Sequence, residues 1–340
     1  MTTPSAIIFG CEGLSLTAGE KALFARVNPW GFILFKRNID TPEQVAALTA
    51  EMRAAVGRRD APVLVDQEGG RVQRLGPPHW RAYPNGATYG KLWALSPDRA
   101  REAAFAGARL MADDLGKLGI TVDCLPVLDV PVEGAHDVIG NRAYHREPTA
   151  VASIGRAASL GLMAGGVLPV IKHMPGHGRG MADSHHNLPQ VDVGRAELEA
   201  HDFAPFRRMR DMPLAMTAHI VFSAIDPDRP ATQSPVVVNE IIRGYIGFDG
   251  LLMSDDLSMK ALGGDFSSRS AAILDAGCDM VLHCNGVMAE MEAAAAGARP
   301  MTAVAQRRAK AALRGISGQL PAFDRGQTEA RFDELLALVA

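Results

Sequence analysis

Short apolar runs rich in β-branched or aromatic residues recur along the chain, and stretches with apolar positions at helical spacing separate most of them. Eight such runs stand out: AIIFGC near residue 6, GFILF near 31, PVLVDQE near 62, ITVDCLPVLD near 120, LPVIKH near 168, LAMTAHIV near 214, GLLMSDD near 250 and DMVLHC near 279. Between them, TPEQVAALTAEMRAAV, DRAREAAFAGARLMADDLGKL, TAVASIGRAASLGLMAG and RAELEAHDFAPFRRMR read as amphipathic helices, with Asp, Thr or Pro near several starts. Strand, helix, strand repetition implies a parallel sheet. Eight strands close a barrel, so the expected fold is a (β/α)8 TIM barrel.

An open doubly wound sheet shares the alternation, but no GxGxxG follows the first strand and no Walker loop occurs. At 340 residues the chain is within reach of one barrel, and no low-complexity stretch marks a second domain. A single catalytic domain over residues 1–340 is expected, with a helical tail from about residue 318 that packs on the barrel.

Composition narrows the function. With 47% hydrophobic and 21% charged residues, the chain has the balance of a soluble globular protein. A net charge of -3, with Arg mixed among Glu and Asp, leaves no basic face for nucleic acid. The segment MTTPSAIIFGCEG lacks a secretory pattern, and no run is apolar enough to span a bilayer, so a cytoplasmic protein without a membrane partner is expected. Cys11, Cys124, Cys278 and Cys284 have no CxxC spacing and read as reduced, structural residues.

In an α/β barrel, chemistry gathers at the C-terminal ends of the strands. Polar residues end five of the apolar runs: Asp66 with Glu68, Asp129, Lys172 with His173, His219, and Asp255 with Asp256. A lone residue of this kind is most often a helix cap or a satisfied buried group. Five on one rim point to a polar pocket.

The densest segment is KHMPGHGRGMADSHHNLP, with four histidines, a lysine and an aspartate around three glycines. Gly176, Gly178 and Gly180 permit positive φ and hinge motion, which would let Asp183 and His185 swing over a ligand. Two residues apart, Asp183 can orient the His185 imidazole and raise its basicity. His173, His177, His185 and Asp255 are also chemically suited to a metal, although no HxH or HExxH element is present. In GFDGLLMSDDLSM a strand delivers Asp255, a carboxylate able to attack an anomeric carbon, while Asp256 is expected to cap a short helix DDLSMKAL. VDQEGGRVQRL places Asp66 near Arg71 and Arg74. Asp66 and Arg74 are candidates for sugar hydroxyls, and one of the arginines is equally suited to a structural salt bridge.

These segments together resemble glycoside hydrolase family three, in its bacterial single-domain β-N-acetylglucosaminidase branch. The family pattern KHFPGHG followed by DSH is matched by KHMPGHG and DSH, with VDQEGGRVQRL, PVLD and SDDLSM in the same order, from about residue 5 to about 315. Met174 stands where the family often has Phe, and NRAYHREP around Arg142 departs from its ERSFG or DRAFG pattern. The resemblance implies Asp255 as nucleophile, Asp183 with His185 as acid/base pair, and sugar-binding roles for Asp66, Arg74, Arg142, Lys172 and His173. It implies retaining hydrolysis through a glycosyl-aspartate without metal or cofactor. The implied substrate is a cell-wall fragment, N-acetylglucosamine joined to anhydro-N-acetylmuramic acid with or without peptide, met in the cytoplasm during peptidoglycan recycling by a monomer. Three other readings stay open at this point. A neutral imidazole admits phosphate as acceptor, giving a glycoside phosphorylase; Lys172 at a strand end suits a Schiff-base aldolase; a silent sugar-binding barrel would be expected to lose Asp255 or His185.

Overall fold

The eight apolar runs become eight strands that pair in parallel around a closed barrel: β1 (Ser5–Phe9), β2 (Pro29–Leu34), β3 (Val63–Val65), β4 (Val122–Asp123), β5 (Leu168–Met174), β6 (Leu214–Thr217), β7 (Leu251–Asp256) and β8 (Met280–His283). Each pairs with its sequence neighbours, and β8 closes on β1 with Ile7 opposite Val281. The computed structural model describes residues 3–135, 137–180, 188–259, 262–315 and 320–340. A strand with helices outside and side chains inside is covered on both faces, which explains the unbroken apolar runs. All six residues of β2 and all seven of β5 are buried, Lys172 and His173 included.

Local chemistry places the surrounding helices. Thr41 accepts a hydrogen bond from the Gln44 N–H ahead of Pro42, and Ser96 does the same for Arg99 ahead of Pro97, starting helices Pro42–Val56 and Pro97–Lys117. The latter packs on helix Pro148–Ala164 so closely that a Cβ at Gly161 would lie 2.3 Å from the Phe105 carbonyl oxygen. The tail helix Arg325–Leu336 lies on Pro97–Lys117: Phe332 is buried, Arg325 bonds Asp113 and Asp114 at 2.7 and 2.6 Å, and Arg331 bonds Glu102. Among the described residues no helix is long and apolar enough to cross a membrane. All four cysteines are free and buried.

Three expected elements are shorter or broken. The run at 120 pairs regularly only over Val122–Asp123, because Pro126 has no N–H for the ladder. RAELEAHDFAPFRRMR forms two short helices, Arg195–Ala200 and Ala204–Arg208, with Pro205 in the first turn of the second. Asp256 ends β7, and its carboxylate accepts from the Ser258 N–H and Oγ in a turn; the helix expected after it is absent over the described residues.

Candidate active site

The barrel ladders slip where the polar residues begin. Pairing of β5 with β6 shifts between Ile171 and Met174, and pairing of β7 with β8 shifts between Met253 and Asp256. A regular strand sends consecutive side chains to opposite faces, whereas a bulge re-aims them. Consecutive Lys172 and His173 therefore both line one cavity, as do Asp255 and Asp256.

That cavity, about 480 Å³, opens at the C-terminal rim, with Ile33, Met216 and Leu282 from the strands at its base. Lys172 is 2% exposed and donates to Asp66 at 2.9 Å and to Glu68 at 2.7 Å. Arg74 holds the other Asp66 oxygen at 2.9 Å, and Arg142 grips Glu68 through two bonds of 2.8 Å. Burial disfavours both carboxylate charges, but the Lys172 ammonium and the two guanidiniums outweigh it and hold Asp66 and Glu68 below the usual carboxylate range. Burial likewise opposes the Lys172 charge, and the two carboxylates reverse this, so its ammonium is held above its ordinary range.

A second cluster faces the first. His173 Nδ1 lies 2.6 Å from Asp129, whose other oxygen accepts the backbone N–H groups of His173 and His177 at 3.2 and 2.7 Å. With Nδ1 bound to a carboxylate, His173 presents Nε2 to the cavity. Burial drives His177 down to about 4, leaving that imidazole neutral at physiological pH. Asp255 accepts the N–H of Asp256 at 2.7 Å. Its burial raises the carboxyl, but the polar side chains around it, His219, His173 and Lys172, and that hydrogen bond bring it below its ordinary value, so it is an anion at neutral pH.

Asp66, Arg74, Arg142, Lys172, His173 and Asp255 thus meet in one cavity. Asp183 and His185 lie outside the described residues. Up to Gly180 their segment is anchored, which corrects the hinge expected of its glycines: a Cβ at Gly178 would sit 2.1 Å from the Val130 carbonyl oxygen, and Arg179 bonds buried Asp202 at 2.7 Å. Close approach, not a swinging loop, accounts for Gly178. Arg71 is the structural arginine of its pair, donating to the carbonyls of Asp137, Val138 and Ile139 and so tethering the segment that carries Arg142. Sequence reasoning placed Glu68, Asp129 and His219 on the rim without a role, because a strand end says nothing about which charges will pair. Phe35 was missed: it lines the cavity, with the Arg74 guanidinium 5.1 Å from its ring centre. Its signal was its place at the end of GFILF.

An ionised carboxylate among sugar-sized polar walls at the rim of a (β/α)8 barrel is the site of a glycoside hydrolase. Residues 16–314 match the glycosyl hydrolase family 3 N terminal domain, and the chain belongs to that family. It is 41% identical over 283 residues to a beta-hexosaminidase of Chromobacterium violaceum, covering 82% of this chain and 78% of that one. A beta-hexosaminidase of Alkalilimnicola ehrlichii is 40% identical over 283 residues, covering 82% and 80%. Among solved structures, NagZ from Neisseria gonorrhoeae in complex with N-trifluoroacetyl-D-glucosamine superposes with a TM-score of 0.86 at 33% identity, covering 99% of both chains.

Proposed function

We propose that the protein is a retaining exo-β-N-acetylglucosaminidase acting as a single-domain monomer. Asp255 attacks C1 of a terminal β-linked N-acetylglucosamine while His185, oriented by Asp183, protonates the leaving oxygen. The glycosyl-aspartate is then hydrolysed by water that the neutral His185 deprotonates, restoring the β configuration. The observation that carries this reading is the place of Asp255 in a cavity walled by the Asp66–Arg74–Lys172 network on one side and by His173 on the other. Four fixed polar groups suit the hydroxyls of one sugar, and the beta-hexosaminidase relatives and the Neisseria complex support N-acetylglucosamine as that sugar. The substrate we propose is the muropeptide fragment N-acetylglucosamine-anhydro-N-acetylmuramic acid, with or without peptide, in the cytoplasm. No metal enters these steps.

The electrostatics weigh against one competing activity. A Schiff-base lysine must shed its proton, and Lys172 is held as an ammonium between two carboxylates.

The test uses p-nitrophenyl glycosides with and without inorganic phosphate. Rapid release from the β-N-acetylglucosaminide, little from the β-glucoside, and free sugar as product in phosphate are expected, with EDTA causing no loss. Equal use of both glycosides, sugar 1-phosphate as main product, or loss in EDTA restored by zinc contradicts the reading.

A further inference from the structure

His219 follows β6 and is fully buried beneath the cavity, yet the chemistry proposed above gives it no part. Its Nε2 lies 3.0 Å from the carbonyl oxygen of Asp256. A carbonyl oxygen only accepts, so Nε2 carries the proton and donates, which fixes the tautomer. The other ring nitrogen, Nδ1, is buried without a hydrogen-bond partner among the described residues. Burial holds the ring below its ordinary basicity, so it is neutral and Nδ1 is an idle lone pair. A buried polar atom left unsatisfied opposes stability, and a residue without it would fill the same space at less expense. The ring's one bond is what calls for a histidine.

That bond completes a cage around Asp256. The Asp256 N–H donates to Asp255 Oδ1 at 2.7 Å. The Asp256 carboxylate accepts from the Ser258 N–H and Oγ at 3.0 and 2.5 Å and from the Cys284 N–H at 3.2 Å. The remaining polar group, the carbonyl, accepts from His219 Nε2 and from the Met259 N–H at 3.2 Å. The ladder slips between Met253 and Asp256 and resumes at Asp256 opposite Leu282, with the Leu257 N–H donating to the Leu282 carbonyl at 2.9 Å, so the cage and that ladder bond together fix this backbone.

We propose that His219 is a positioning residue for the nucleophile: by donating from Nε2 to the Asp256 carbonyl it holds the Asp256–Leu257 peptide and so fixes Asp256, whose N–H on the preceding peptide orients the Asp255 carboxylate toward C1. The proposal rests on Asp255 being the nucleophile. Nucleophilic attack is sensitive to such placement, since a displacement of about 1 Å can cost on the order of 10²-fold in rate.

Two isosteric variants separate this role from packing. The side-chain nitrogen of glutamine reaches the place of Nε2, and that of asparagine the place of Nδ1. His219→Gln should recover most of the wild-type rate of glycosyl-enzyme formation on an activated aryl N-acetylglucosaminide. His219→Asn should be slowed at least about 10-fold, up to ~100-fold, with the Kd for free N-acetylglucosamine and the Tm equal to those of His219→Gln. The burst phase is read by rapid quench, and the labelled residue by mass spectrometry with a fluorosugar. Equal burst rates in the two variants, or a defect in His219→Asn that appears only in Kd or Tm, overturn the proposal. A label on a residue other than Asp255 instead overturns the underlying assignment, which keeps the two failures distinct.

Discussion

Lys172 has no exposure to speak of and no freedom: two carboxylates hold its ammonium, and two guanidiniums hold the outer oxygens of those carboxylates. Such an arrangement trades solvation for fixed geometry, and each member is needed because removing one leaves a buried charge uncompensated. His177 is the complementary case, a base kept neutral by burial. Its ordinary value of 6.5 falls to about 4 in the folded protein, so between these values the unfolded chain binds a proton that the folded one refuses. Its contribution is present above pH 6.5 and is lost as pH falls toward 4, with a slope of up to about 1.4 kcal/mol per pH unit. Asp66, Glu68, Asp129 and Asp255, all lowered, add to acid destabilisation further down. Buried Asp123, pushed up by desolvation, acts in the opposite sense as pH rises. Urea unfolding of wild type and His177→Gln from pH 7 to 4 should show a shallower decline in the variant; parallel curves would remove His177 from this account.

At the level of elements, the tail helix buries two side chains, Phe332 and Leu335. Phe332 is completely buried against the barrel's outer helices, beneath the Arg81 guanidinium at 5.1 Å from its ring centre. Phe332→Ala should cost about 3–5 kcal/mol by chemical denaturation while leaving KM for the aryl substrate unchanged, since the residue is not among those lining the catalytic cavity. A loss below about 1 kcal/mol would show that the tail docks through its ion pairs instead. All eight barrel strands were legible because burial on both faces makes each part of a mainly apolar run. Their ends were not: the break at Pro126, the turn after Asp256 and the bulges that aim Lys172 and Asp255 depend on partners distant in sequence. The same limit applied to the site. Asp66, Lys172, His173 and Asp255 could be read as rim residues from strand ends, and Arg142 from resemblance alone. Glu68 as the partner of Arg142 lies 74 positions away and has no local signature.

For the whole molecule, the barrel gathers residues from β3, β5, β7 and intervening loops onto one rim, where Lys172, Arg74 and Arg142 grip Asp66 and Glu68 while Asp255 remains an anion without an ion-pair partner among the described residues. A sugar bound by the paired groups would present C1 to that anion, which is the central claim of the account. It is tested most directly by incubating the enzyme with an activated 2-acetamido 5-fluoro glycoside, digesting the trapped adduct and locating the sugar by mass spectrometry. The account predicts one equivalent of sugar on Asp255 and no adduct in Asp255→Ala. Sugar on any other residue, or full turnover of the aryl substrate by Asp255→Ala, would contradict it.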